Sequence, residues 1–425
     1  MTDNQASGIL SKGLPRYWAV LCIFNLFIAS FIGLLMRYKI VLPLPVLDQT
    51  YLLHAHSHFV FCGWVSLTLF SCMVVYMLPD QVASRRAYRL MFFILEIASV
   101  GMLVTFLYQG YGAFSIFFSF LYTGVFYWFV IRFWKDHKRS GAPLEIQWFT
   151  RTALIWFVVS SFGPYLLGYL SLADTGNAIE TRAALYFYLH FQYNGWFTFA
   201  VFGLLLHWLH KIRFYPSSHK MKTVFWLLTT GAVPGYFLSI IGFYAYRWIE
   251  ILSAFAVVTH FIAAFILFVI ILKSYRHISA VIPKETDILW KIATAAYFLK
   301  TALQGAILVP SLATFAFSFR PLIIGYLHLV FLCFISFFLI GFLLDHQQLD
   351  TRSSAIARFG LALFIIFVLL NEIVLFGQSY CAYVSLYFSF FPATLLWITA
   401  GIFSGLLLFI IGQKSFSKSR SRQLS

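Results

Sequence analysis

The sequence predicts an all-α, polytopic membrane protein with twelve transmembrane helices in three pseudo-repeats of four. Hydrophobic residues make up 61% of the 425 residues and charged residues only 10%, a balance that soluble domains of this size do not show. Apolar stretches of about 20 residues, enough to cross a hydrocarbon core of about 30 Å, recur along the chain. A histidine holds the same place in three of them, at spacings of 132 and 138 residues.

The apolar stretches define the predicted spans, and short polar loops separate them. The twelve spans are residues 17–36, 54–77, 89–108, 113–134, 150–171, 184–209, 222–244, 250–272, 289–309, 321–344, 355–377 and 388–412. Grouped in fours, they give pseudo-repeats over residues 17–134, 150–272 and 289–412. We expect these to form a single integral membrane domain across residues 1–425.

Positive charge is distributed asymmetrically about the predicted spans. Of thirty Lys and Arg, Lys300 lies inside a span, twenty-four including Lys12 fall on one side, and the other side has Arg37, Lys39, Arg182, Arg247 and Arg320. Short loops rich in Lys and Arg stay in the cytoplasm. The bias predicts a multi-pass protein of the cell inner membrane with both termini cytoplasmic. The net charge of +16 is therefore assigned to topology and anionic lipid heads, and no nucleic-acid partner is expected.

Three histidines lie in matching sequence contexts. His58 and His190 are each followed by Phe and, five residues after the histidine, by a Gly-Trp pair, Gly63-Trp64 and Gly195-Trp196. His328 keeps the position but is followed by Cys333-Phe334. Even-numbered spans enter from the outer side, so these three, with His54 and His56, are expected at one depth in the outer leaflet.

Imidazoles that share one membrane depth are suited to binding a metal. Imidazole ligates haem iron, copper and zinc, and axial histidines often face one another across a helical bundle. Residues four apart share a helix face, so His54 and His58 lie on one side of span 2 and His56 on the other. The alternative is that these histidines form hydrogen bonds between helices.

Three ionisable residues lie inside predicted spans: Glu96, Lys300 and Glu372. Such groups are functional candidates by default, and proton movement is the expected role. In the alternative, Lys300 pairs with one of the two carboxylates. Residues 300, 301 and 304 are polar and cluster on one face of a helix, which we expect to point into the bundle.

The three four-helix units and the histidines on spans 2, 6 and 10 resemble subunit I of the haem-copper oxidase superfamily, which includes the large subunits of cytochrome oxidase and nitric oxide reductase. The resemblance covers the architecture of essentially the whole chain but only short pieces of sequence. The resemblance implies that His58, with His56 as a competing choice, and His328 ligate a low-spin haem. It also implies that His190 is a copper ligand. His54, which shares a face of span 2 with His58 and lies at the helix end, is a further metal candidate or an interfacial residue.

The chain departs from that family at the oxygen-reducing centre. Tyr326 stands where the family has the first histidine of a His-x-His motif, and span 7 contains no histidine. Tyr193 lies one residue before the place of the family's tyrosine. The run from His54 to His58 is also similar to the NnrS-like proteins, a twelve-span, haem-containing group linked to nitric oxide stress. Together these resemblances imply haem and an incomplete copper site.

The expected function is haem-based electron transfer, or oxygen or nitric oxide chemistry of the haem-copper oxidase type, in a respiratory chain. The chain has no CxxCH haem-attachment motif, so a partner subunit or quinol in the lipid bilayer is the expected electron donor. Two other functions stay open. One is secondary transport, and the other is a non-catalytic, oxidase-like assembly or scaffold subunit whose histidines serve packing.

Overall fold

The structure, a computed structural model, describes residues 16–172, 176–244 and 246–423, so Lys12 lies outside the described residues. Within these ranges the protein is all-helical, as predicted, and no strand is present. Three segments are π-helices: π1 (Val60–Ser66), π2 (Phe191–Phe197) and π3 (Leu329–Ser336). The α-helices are α1 (Arg16–Val41), α2 (Gln49–Phe59), α3 (Leu67–Met77), α4 (Asp80–Ala83), α5 (Arg86–Gln109), α6 (Ala113–Lys138), α7 (Leu144–Ser160), α8 (Phe162–Leu172), α9 (Ala178–His190), α10 (Thr198–Lys211), α11 (Ser218–Leu238), α12 (Arg247–Ser279), α13 (Lys284–Ala306), α14 (Pro310–Ser318), α15 (Arg320–His328), α16 (Phe337–Asp345), α17 (Ala355–Tyr383) and α18 (Phe391–Gln423).

Nine helical stretches of the described chain are long and apolar enough to cross a membrane, which places the protein in a lipid bilayer as a multi-pass protein. A tenth is added if α13 and α14, which are bent by 111° relative to one another, form one broken span. Helices also cover the predicted span 184–209 and residues 222–238 of the predicted span 222–244. Polar residues such as Gln192 and Asn194 make the first of these spans less apolar. The twelve-span count and its pseudo-repeats therefore stay a prediction.

The chain packs into two compact units. The first unit joins the residues up to Asp136 to those from Leu339 onward, and the second unit is the continuous stretch His137–Phe338. In the first unit α1 packs against α18 and α2, and α2 packs against α5. In the second unit α11 packs along α12, and α7 packs against π2 and α10.

Two of the three histidine-bearing helices begin at a side-chain cap. Asp48 accepts hydrogen bonds from the backbone N–H groups of Thr50 and Tyr51 at 2.8 and 2.9 Å. Asn177 and Glu180 form a reciprocal capping box at the start of α9, which satisfies N–H groups that the helix itself cannot pair. These caps fix where α2 and α9 begin, and so fix how far along each helix its histidine lies.

Glycines allow α17 and α18 to pack with their backbones in contact. A Cβ atom on Gly405 would lie 2.6 Å from the backbone nitrogen of Phe364, and one on Gly360 would collide with the backbone of Phe409. Backbone atoms cannot move aside as a flexible side chain can. Small residues are typical of such close helix pairs in membranes, and here they join the last two helices of the first unit.

We expect Gly360→Ala to lower the stability of the protein because the added methyl group must push α18 away from α17. Overpacking of this kind costs about 1–3 kcal/mol. Gly377→Ala, on the same helix, is the matched control, since its Cβ would meet nothing within 4 Å. Thermal unfolding in detergent measures both variants, and equal unfolding temperatures would contradict the close contact.

Candidate functional site

Each of the three matching histidines stands at the start of a π-helical segment. His190 and His328 directly precede π2 and π3, and His58 lies two residues before π1. Isolated π-helical turns inside α-helices are uncommon and often mark functional sites. The sequence repeat noted at these histidines thus corresponds to a repeated distortion of the backbone.

A buried hydroxyl group follows each histidine by eight residues, a repeat that the sequence analysis missed. Ser66, Thr198 and Ser336 are all at most 3% exposed. The Thr198 and Ser336 hydroxyls donate to the carbonyls of Tyr193 and Phe331, each five residues earlier, at 2.6 Å. In an α-helix such a bond usually reaches the carbonyl four residues back. The spacing His-x7-Ser/Thr was visible in the sequence and could have revealed this feature.

Side chains of neighbouring helices bond to backbone carbonyls of π1. Asn25 of α1 donates to the Gly63 carbonyl at 2.8 Å, and Tyr122 of α6 donates to the Cys62 carbonyl at 3.2 Å. The same Asn25 amide donates to the Glu96 carboxylate at 2.8 Å. Glu96 is therefore held beside π1 through a single asparagine.

His58 lies among His54, Phe106 and Tyr111 in the first unit. Its Nε2 is 3.0 Å from the Tyr111 hydroxyl, and its ring stacks on Phe106 with centroids 4.5 Å apart. The His54 ring meets the edge of Tyr111 at 4.6 Å. The prediction that His54 and His58 share one face is therefore confirmed. Tyr111 lies between α5 and α6 and is 58% exposed.

His56 faces the opposite way, as predicted, and contacts α1. Its Nδ1 lies 3.0 Å from the Ala29 carbonyl oxygen. Gly33 makes room for the ring, since a Cβ there would lie 3.3 Å from the His56 Cε1. The carbonyl can only accept, so Nδ1 carries the hydrogen and Nε2 is left as the basic nitrogen.

Both ring nitrogens of His190 are used inside the second unit. Nε2 lies 2.8 Å from the Ala232 carbonyl, and Nδ1 lies 3.1 Å from the amide nitrogen of Asn194. Asn194, one helical turn from His190, takes the place where the oxidase-like motif expects a tyrosine. The ring is 1% exposed, so this imidazole is buried, neutral and fully bonded. Sequence reasoning gave no role to Asn194.

The two tyrosines singled out by the resemblance touch one another. The rings of Tyr193 and Tyr326 meet edge to face with centroids 5.9 Å apart. Tyr193 lies in π2, and Tyr326 lies two residues before His328, which is half-buried at the end of α15.

His58 belongs to the first unit and His328 to the second, so their role as a pair of axial ligands stays a prediction.

The three intramembrane charges have different surroundings. Lys300 is 4% exposed and forms no ion pair among the described residues of its own unit. Lys300 and Thr301 are buried, and with Gln304 they line an internal cavity, which confirms the predicted inward face. In the first unit Glu372 accepts a hydrogen bond from Asn371 at 3.1 Å and interacts electrostatically with Arg37.

The residues around His190 do not fit a copper ion. A protein copper site of this type needs several imidazole or thiolate ligands. No group of three or more His, Cys, Asp or Glu is placed to hold a metal anywhere in the described ranges. Both nitrogens of His190 are bonded, and the Lys300 amine lies close enough to interact with it electrostatically. Copper at His190 is therefore not supported by the donor set.

The fold and these sites define an all-helical, multi-pass membrane protein with histidines at three π-helical turns. Comparison with protein-family models and with curated proteins gave no match. The resemblance to haem-copper oxidases, which rests on the histidines and the span pattern, therefore stays a proposal.

The two Gly-Trp pairs differ in what surrounds the glycine, which gives a matched test. A Cβ on Gly195 would lie 2.6 Å from the Cβ of Trp156, whereas one on Gly63 would meet only the ring of Phe59 at 2.9 Å. We expect Gly195→Ala to cost about 1–3 kcal/mol through overpacking and Gly63→Ala to cost less, because the phenylalanine ring can shift. Thermal unfolding of both variants measures the difference, and the reverse order would refute this account of the packing.

Proposed function

We propose that the protein is a haem-binding membrane protein that transfers electrons in a respiratory chain, without a copper centre. The observation that carries this proposal is the placement of His58, His190 and His328 at three π-helical turns with matching flanking residues. Repetition of a histidine and a backbone distortion together is difficult to explain by packing alone, since packing does not require an imidazole at each turn.

His58 and His328 are the residues that would hold the haem. The donor chemistry fits, because a neutral imidazole is a common axial ligand of haem iron. The Tyr111 hydroxyl on His58 Nε2 belongs to an exposed side chain and can be displaced without opening the helix bundle. When bound, haem would supply a one-electron redox centre. His54 and Phe106 would then keep the His58 ring in its orientation.

His56 is the competing ligand in the first unit. Metal-bound histidines usually donate the hydrogen of their other ring nitrogen to a carbonyl or carboxylate. His56 Nδ1 has such a partner in the Ala29 carbonyl, which leaves Nε2 as the donor atom for a metal. Replacing His56 and His58 separately distinguishes them.

The proposed setting follows from the charge distribution. Both termini would lie in the cytoplasm of a cell whose inner membrane contains the protein, and the histidines would lie near the outer surface. A quinol or a partner subunit would deliver the electrons. Glu96, Lys300 and Glu372 would serve proton movement. Reduction of oxygen or nitric oxide is less well supported than electron transfer, because the residues around His190 do not fit the copper ion that such a centre would contain.

Secondary transport is the second candidate, and one observation favours it. The broken pair α13 and α14 is bent by 111°, and transporters often form substrate sites at discontinuous helices. An oxidase-like assembly or scaffold subunit is a further alternative, supported by the complete internal bonding of His190. Neither alternative requires bound haem.

We expect purified protein from haem-replete cells to contain haem, and His58→Ala and His328→Ala each to lose it, because each removes an imidazole that would hold the haem. Visible spectra, a pyridine haemochrome assay and metal analysis measure haem and copper. The control is His219→Ala, which removes an exposed histidine and should leave the haem content unchanged. His56→Ala tests the competing ligand.

The outcome of this experiment separates the candidates. Wild-type protein without haem would reject the proposal and leave transport or a scaffold role. Unchanged haem in both His58→Ala and His328→Ala would assign the haem to other residues. Bound copper that is lost in His190→Ala would reverse our conclusion about that site.

A further inference from the structure

The second unit contains a small cavity near His190 whose wall is partly polar. Its volume is about 10 Å³, measured as the space open to the centre of a water molecule, and this is room for about one water molecule. Six polar side chains line it: Asn194, Thr198, His260, Lys300, Thr301 and Gln304. A buried water needs two to four polar partners, so the cavity meets both conditions.

The directions of the surrounding hydrogen bonds show whether the two threonines present donors or acceptors to the cavity. Thr198 donates its hydrogen to the Tyr193 carbonyl at 2.6 Å, and Thr301 donates to the Tyr297 carbonyl at 2.9 Å. A hydroxyl that has already donated can only accept. The two threonines therefore present acceptors to the cavity, which favours a water molecule or an ammonium group over an anion.

His260 presents a third acceptor. His260 lies in the cavity wall beside Leu228. A neutral imidazole has one ring nitrogen that carries a hydrogen and one that is basic and accepts a hydrogen bond. Gly231 lets the ring approach α11 closely, since a Cβ there would lie 2.9 Å from the His260 Nε2.

Lys300 is a hydrogen-bond donor in the cavity wall. Its side chain is buried without an ion-pair partner among the described residues of the unit, and its Nζ lies 5.5 Å from the centre of the Tyr297 ring. A buried charge in a membrane is costly unless it is paired or lines a hydrated cavity. The cavity provides that hydration.

We propose that one water molecule fills this cavity and passes a proton between the Lys300 amine and the His260 imidazole. A proton leaves Nζ and bonds to the water oxygen, while the water releases another proton to the basic ring nitrogen of His260. The ammonium becomes a neutral amine, the imidazole becomes imidazolium and the water is regenerated. No oxidant or reductant is needed, and the proposal does not depend on haem.

Two other ionisable groups face the pair. His190 interacts electrostatically with both Lys300 and His260, and Tyr297 lies beneath the Lys300 amine. His190 does not lie on the route, because both of its ring nitrogens are already bonded to Ala232 and Asn194. The His190 ring instead holds the Asn194 side chain in the cavity wall. The Asn194 oxygen in turn accepts a hydrogen bond from the Gln304 amide at 3.4 Å.

Solid-state NMR of the full chain with ¹⁵N-labelled histidine in lipid bilayers tests the transfer. Neutral and charged imidazole give separate ¹⁵N signals, and the His260 signals are assigned by their loss in His260→Phe. We expect exchange between the two forms in the wild type and no exchange in Lys300→Met, because the proton donor is gone. Lys300 has no ion-pair partner among the described residues of the unit, so its replacement leaves no opposite charge buried and unpaired, and we expect this variant to fold.

Controls and a second measurement make the outcome decisive. Lys291→Met, on the same helix but at a side chain that is 52% exposed and paired with Asp287, should leave the exchange intact. Thr301→Val, which removes a wall acceptor, replaces Lys300→Met if that variant does not fold. A high-resolution structure should show one water at about 2.7–3.2 Å from both nitrogens. An empty cavity, or exchange that persists in Lys300→Met, would overturn the proposal.

Discussion

The structure depends on the wide helical turn that follows each of three histidines. In a π-helix the backbone bond spans five residues where an α-helix spans four, so each such turn changes the register of the residues beyond it. Lipid offers no donors to the backbone, and partners for these turns must come from the protein. Thr198, Ser336, Asn25 and Tyr122 supply them, which explains why polar side chains persist in spans that are otherwise apolar.

The histidines at these turns differ in how their nitrogens are used. Both ring nitrogens of His190 form hydrogen bonds, one with the Ala232 carbonyl and one with Asn194, and the ring is part of the protein interior. Among the described residues, His58 has one hydrogen-bond partner, the exposed Tyr111 just beyond the end of α5. The same sequence pattern therefore holds two different histidines: both nitrogens of His190 are hydrogen-bonded inside the protein, whereas His58 can exchange its tyrosine partner for a ligand.

Much of the fold could be predicted from the sequence, because apolar length and the positions of the polar loops are direct consequences of bilayer thickness. The shared face of His54 and His58 and the inward face of Lys300 followed from helical periodicity. The π-helical turns could not be predicted. A π-turn contains one residue more than an α-turn and shifts the polar-apolar pattern of a helix, but a span that is apolar on all sides has no such pattern to shift. Asn194 was missed for a related reason: its role depends on His190 lying one turn away and on Ala232 of another helix.

The way in which the first unit is assembled has a consequence for synthesis of the chain. Its helices come from the two ends of the sequence, with α1 packed against α18, whereas the second unit is one continuous stretch. Domains generally fold as units, in the order in which the ribosome produces them. The second unit can thus complete its packing while α1 to α6 still lack α17 and α18. During that interval the face of α1 that will meet α18 has not yet met its helix partner.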